Sequence, residues 1–174
     1  MKDYTTTEDG HYIIINGRKW RASDPSIPKA LRSQLVAVLM KARSDVAKAL
    51  RSNDKILEKN ARSRVNDAKI SLGERGAVWW EPYDDTALRS RLKSSMLTLL
   101  RHREPGKSIC PSEAARVIGS PDHWRTIMPI AREVAVELAN KGILTITRGN
   151  QLLDPEDLGK GHIRIRHGES FDNQ

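Results

Sequence analysis

The chain has 174 residues, with 30 Lys and Arg against 22 Asp and Glu and a formal net charge of +8. A hydrophobic fraction of 38% and four tryptophans exclude disorder through the middle, and no apolar run approaches the roughly 18 residues of a membrane span. The single Cys110 excludes an internal disulfide framework, and the positive balance favours an anionic partner such as nucleic acid or a phosphorylated surface.

The start, residues 1–10, lacks a basic stretch followed by an apolar one, so a folded cytoplasmic protein with no membrane partner is expected. The first ten residues and the last six are polar enough to fray. Length and composition suit two compact units, over residues 1–83 and 84–174. The first carries 16 basic and 10 acidic side chains, the second 14 and 12, so most of the surplus charge lies in the first.

Residues 12–15 and 18–21 flank Asn16-Gly17, the dipeptide suited to a type I′ turn because both central positions take positive φ. A β-hairpin follows. Arg18, Lys19 and Arg21 bracket Trp20, an arrangement suited to stacking on a base or phosphate-bearing ligand; packing of Trp20 on the helices behind it is the commoner alternative. Ile27, Leu31, Leu35, Val38, Leu39, Ala42, Val46 and Leu50 then repeat at three and four residues and predict a helix over about 28–51. Asn53-Asp54 supplies a break and a new cap, and Leu57, Ala61, Val65, Ala68 and Leu72 form a second, alanine-rich stripe ending at Gly73. An antiparallel helical pair is expected, and so narrow a stripe needs a further partner, either the C-terminal half or a second copy in a homodimer. The adjacent Trp79 and Trp80 suit burial at a joint between packed elements.

The order of segments over 86–103, 107–109, 112–119, 121–140, 143–147 and 162–167 is helix, short extended link, two helices and two strands around a polar loop. That is the order of a winged helix, which points to nucleic-acid binding. Leu88, Leu92, Met96, Leu99 and Leu100 form the inner stripe of its first helix. Residues 86–132 hold nine basic side chains, Arg89, Arg91, Lys93, Arg101, Arg103, Lys107, Arg116, Arg125 and Arg132, against Glu104, Glu113 and Asp122. The helix after Pro111 is expected to offer N-terminal amides to a phosphate, helped by Lys107, Ser108 and Ser112. Ser120 and Pro121 are the expected cap and first residue of the third helix, whose early turns present Asp122, His123, Arg125, Thr126 and Arg132 to a major groove. Pro129 predicts a kink or a new helix start, and Trp124 suits a core anchor. The loop 148–161 is rich in turn formers, and Arg148, Lys160, Arg164 and Arg166 suit a wing contact to phosphate, opposed by Asp154, Glu156 and Asp157.

The run Pro105-Gly106-Lys107-Ser108-Ile109-Cys110-Pro111-Ser112-Glu113-Ala114-Ala115-Arg116, with Trp124-Arg125, Met128, Arg132 and Ile163-Arg164-Ile165-Arg166, resembles a family of small bacterial domains of unknown function with a winged-helix fold, over residues 86–167. The resemblance implies that fold and a bacterial origin, and brings no activity or residue roles. Gly17-Arg18-Lys19-Trp20-Arg21 and Leu72-Gly73-Glu74-Arg75-Gly76 are similar to the N-terminal part of bacterial proteins loosely labelled Tol biopolymer transporters, without any feature that implies transport.

The histidines His11, His102, His123, His162 and His167 are scattered without metal-ligand spacing, and Gly106-Lys107-Ser108 shares only the end of a phosphate-binding loop motif and follows a helix. Asp84-Asp85 suits a helix dipole better than acid–base work. Neither catalytic residues, metal nor cofactor are expected. The fold expected is mainly α within the α+β class, with an N-terminal β-hairpin and helical pair followed by a winged helix-turn-helix. The function expected is duplex DNA binding and transcriptional regulation; the alternative is a winged-helix module for protein interaction or RNA binding. The contacts would come from Lys107, Ser108, Ser112, Arg116, His123, Arg125, Thr126, Arg132, Arg148, Lys160 and Arg164, with Arg18, Lys19, Trp20 and Arg21 as a second surface.

Overall fold

A computed structural model describes residues 4–173. The fraying expected of residues 1–3 and 174 lies outside the described residues.

The fold is α+β. The N-terminal strands β1 (Thr5–Thr6), β2 (Tyr12–Ile15) and β3 (Arg18–Arg21) form an antiparallel sheet in that order, with Tyr12 opposite Arg21 and Ile15 opposite Arg18. The turn is the expected one, with φ of 52° at Asn16 and 72° at Gly17. Strand β1 corrects the expectation of a frayed start: Thr5 and Thr6 pair with Ile14 and Ile13, because a third strand satisfies the free edge of the hairpin.

Helices α1 (Lys29–Ser52) and α2 (Lys55–Ser71) are antiparallel neighbours joined at Asn53, a left-handed C-cap with φ of 53°. Asp54 caps α2 by accepting from the Leu57 N–H at 2.9 Å. The apolar stripe of α1 departs from expectation at its end, where Ala49 is buried and Leu50 is 54% exposed. The tight reversal, in which the Asp54 N–H bonds the Ala49 carbonyl at 3.0 Å, puts the smaller residue on the inside.

Helix α3 (Asp85–His102), capped by Asp84 accepting from Ala87 N–H at 2.7 Å, is the centre of the molecule. From Arg91 to Leu100 every residue except Lys93 is buried, so the single stripe expected of this helix is instead burial on nearly all sides. The reason is that α1 and α2 pack on it from one direction and α4 (Pro111–Gly119) and α5 (Trp124–Asn140) from another. One apolar cluster therefore runs from Ile27, Leu31 and Leu35 through Leu92, Met96 and Leu99 to Val134, Ile146 and Ile165.

Beyond α5, strand β4 (Leu144–Arg148) pairs antiparallel with β6 (Arg164–His167), placing Leu144 opposite His167 and Thr147 opposite Arg164. Ile109 adds an antiparallel bridge to Ile165, with mutual backbone bonds of 3.0 and 2.9 Å. The short β5 (Gln151–Leu152) folds back on β4 across Gly149-Asn150, inside the stretch expected to be loop. Within the last six residues, expected to fray from their polarity, Phe171–Asn173 instead form a 3-10 turn, and Phe171 is buried and stacks on His167 with ring centres 3.9 Å apart. Among the described residues no helix is long and apolar enough to cross a membrane.

Candidate nucleic-acid interface

The corner between α4 and α5 is built on close backbone approach. A Cβ on Gly119 would stand 2.6 Å from Ile127 Cδ1 and 2.8 Å from the Trp124 nitrogen, so only glycine lets the chain turn there. Ser120 and Pro121 do not begin the third helix as expected. Residues 121–123 form a turn in which the His123 N–H reaches the Gly119 carbonyl at 2.8 Å, and α5 starts at Trp124 with His123 as its N-cap. Of the two outcomes expected at Pro129, a kink or a new helix start, the new start is absent: α5 runs through Pro129 as one helix.

Trp124 packs on the core as anticipated, but it also carries two cations. The Arg116 Cζ lies 4.4 Å and the Arg125 Cζ 4.5 Å from the centre of its ring. Both arginines are exposed, and neither has a carboxylate partner among the described residues. Stacking on an indole restrains a guanidinium while leaving its N–H edges outward, the geometry for bidentate contact to phosphate or a guanine edge. His123 and Thr126 are exposed at the same corner, with the Thr126 hydroxyl donating to the His123 carbonyl at 2.7 Å. Arg116, His123, Arg125 and Thr126 are thus brought together.

The other expected contacts are placed differently. Arg132 donates to the carbonyls of Gly161 at 3.2 Å and Gly159 at 3.4 Å, and Arg148 to those of Leu158 at 2.6 Å and His162 at 3.4 Å. Arg164 donates to the Ser108 hydroxyl at 3.0 Å and its carbonyl at 2.8 Å. These guanidinium forks satisfy carbonyls that the β4–β6 ladder leaves free, so they shape the 149–163 loop and hold the 108 segment against β6. Lys160 at the loop and Lys107 before α4 are exposed, and neither has an ion pair among the described residues. Ser112 is half-buried in the first turn of α4. That turn carries its own anion: Glu113 accepts from the Cys110 N–H at 2.9 Å and from Arg103 at 2.6 Å, and Pro111 has no N–H to offer.

Folding consumes much of the local basic surplus. Arg89 bonds Asp85, Glu133 and Glu137 at 2.8, 2.5 and 2.7 Å, and the Glu133 contact first, then that to Asp85, push its pKa upward. Arg91 pairs with Asp24, and Arg101 with Asp67 at 2.6 Å. Only the Asp85–Arg89 pair, at i and i+4, has a spacing that announces it.

At the N-terminal sheet Trp20 is 41% exposed rather than packed away, with Arg18 Cζ 5.1 Å and Lys69 Nζ 5.6 Å from its ring. Lys19 lies over Tyr12 at 4.0 Å, whereas Arg21 is drawn inward to the Gly76 carbonyl at 2.7 Å. Trp79 and Trp80 are half-buried as a joint: Trp80 stacks on His11 at 3.9 Å, and the Trp79 indole donates to the Ala22 carbonyl at 3.0 Å. Among the described residues no three His, Cys, Asp or Glu side chains converge as a metal site would need.

Residues 89–168, from α3 through β6, match a family described as "protein of unknown function (DUF3253)". No curated protein matches the chain.

Proposed function

We propose that this chain is a cytoplasmic DNA-binding protein in which α3, the Ile109 bridge, α4, α5, β4 and β6 act as a winged helix. The first turn of α5 is the part that enters a major groove, and the 149–163 loop is the wing. The observation that carries the reading is the Arg116–Trp124–Arg125 stack at the α4–α5 corner, two exposed guanidinium groups held without carboxylate partners among the described residues. The element order and the pairing of β4 with β6 support it. Lys107 and Lys160 add phosphate contacts from either side of the sequence stretch.

Binding is tested by anisotropy titration of a labelled duplex across a salt series. Affinity should fall steeply with salt, and Arg116→Ala with Arg125→Ala should lower the salt slope by about 2, since each phosphate contact contributes about 0.9. Arg43→Ala with Lys48→Ala, on exposed α1 positions, should matter less. No duplex binding at low salt, or equal losses in the two double variants, defeats the reading.

A second reading, RNA binding, is favoured by one observation, the exposure of Trp20 beside Arg18 and Lys69. An open indole among cations is a stacking platform for unpaired bases. Stronger binding of single-stranded RNA than of duplex DNA, lost in Trp20→Ala and kept in the α5 variants, selects it.

A further inference from the structure

A cavity of about 270 Å³ lies where the helical pair meets the end of α3, β6 and the final 3-10 turn. Its walls combine cations with apolar surface: Lys41 and Arg64 from α1 and α2, Arg101 from α3, and Leu57 and Phe171. Val38, Asn60 and His167 complete the lining with Asp172, the one carboxylate among these residues.

Three features distinguish this cavity from ordinary solvated helix surface. The Arg101 side chain is only 9% exposed, and although its Nη1 donates to Asp67 at 2.6 Å, its Nη2 is buried with no hydrogen-bond partner. A buried donor left unmatched costs free energy unless an acceptor comes to it. Lys41 has no ion-pair partner among the described residues, and Arg64 is fixed in place by Asp45 at 2.8 Å. The floor is tied in as well: Phe171 stacks on the His167 ring and has the Arg101 guanidinium 5.8 Å from its ring centre, and His167 Nε2 is 3.1 Å from the Leu100 carbonyl.

From these residues we infer that the cavity binds a small organic anion, its oxyanion head held by Lys41, which has no ion pair among the described residues, and by the unmatched Nη2 edge of Arg101, with a short apolar body against Leu57 and Phe171. Its volume falls just under the roughly 300–1,000 Å³ of pockets that hold drug-sized ligands, which sets the class as a small carboxylate or phosphate monoester. The ligand would bridge the N-terminal helical pair and the C-terminal elements, so its binding stabilises their contact. This inference is independent of nucleic-acid binding.

The test is calorimetric titration of the full chain with phenyl phosphate, benzoate and inorganic phosphate at fixed ionic strength, with the His167 imidazole signals followed by NMR. Saturable binding of at least one probe is expected, with the His167 signals shifting along the same isotherm. Phenyl phosphate against benzoate separates the two head groups. Lys41→Glu, an exposed position with no ion pair to lose among the described residues, should fold normally and weaken binding by about tenfold or more, the loss of one charge-assisted hydrogen bond. Absence of saturable binding by all three probes overturns the inference. So does binding that leaves His167 unmoved and survives Lys41→Glu.

Discussion

Arg91 on α3 donates to the Asp24 carboxylate at 2.9 Å across 67 residues of sequence, with the two side chains only 3% and 4% exposed. The same guanidinium bonds the Tyr83 hydroxyl and the Ser71 carbonyl, at 3.2 and 3.3 Å for the latter. Asp24 in turn accepts from Ser26 N–H and hydroxyl at 2.9 and 2.6 Å and holds the entry to α1. One buried pair thus ties the entry of α1, the end of α2 and the middle of α3 together.

Removing one member leaves the other charged and dry. Asp24→Ala is expected to cost about 3–5 kcal/mol in urea unfolding, and the double variant Asp24→Ala with Arg91→Ala much less than the sum of the singles. Additive losses would show that the two side chains act separately.

Tyr83 is held above its ordinary pKa, first by burial, with the neighbouring Arg91 charge pulling the other way. A raised pKa favours the neutral phenol in the folded state. The corresponding stability is present below the unfolded value near 10 and is lost as pH rises through the folded one. Difference absorbance between the native protein and Tyr83→Phe should therefore show one tyrosine ionising later than in the unfolded chain, and Tyr83→Phe should flatten the alkaline loss of stability.

Gly119→Ala places a methyl against Ile127 and the Trp124 backbone. Overpacking of this kind costs about 1–3 kcal/mol, and here it displaces the residue on which Arg116 and Arg125 stack. Thermal unfolding should report the destabilisation, and duplex titration a loss of affinity at temperatures where the variant is still folded. Unchanged melting would mean that the corner relaxes freely.

Arg148→Ala and Arg132→Ala remove the forks that hold carbonyls of the 149–163 loop. Hydrogen exchange should rise at the loop amides while protection in α3 is unchanged, and global stability should fall by no more than about 1 kcal/mol for each. Both Leu153 and Ile163 remain buried anchors, which limits the effect to the stretch between them. Equal protection in variant and parent would assign the loop's order to those anchors alone.

Local chemistry was legible wherever a motif is self-contained. Asn16-Gly17 marks the hairpin, Asp54 the start of α2, Asp84 the start of α3, and the alternation in Ile163-Arg164-Ile165-Arg166 a strand with its apolar face inward. Trp124 was legible as an anchor but not as a platform, because the stacking of Arg116 on it depends on how α4 and α5 meet across a tight glycine corner. The roles of Arg132, Arg148 and Arg164 were hidden for a related reason. A basic residue near a loop has the same letter whether it faces a phosphate or its own backbone carbonyls.

By itself the sequence determined the five helices, the hairpin strands and the β4 and β6 strands, their order and the sign of the charge, since these follow from periodicities of two and three to four residues, cap residues and composition. Strands β1 and β5 and the final 3-10 turn, which carry no such pattern, came only with the tertiary structure. Only the tertiary structure decided which charges stay free. Asp24 and Arg91, Asp67 and Arg101, and Glu113 and Arg103 neutralise one another, whereas Arg116 and Arg125 are left on an indole facing water. That partition rests on distances between residues remote in the chain and on the strength of ion pairing away from solvent, neither of which any local pattern encodes.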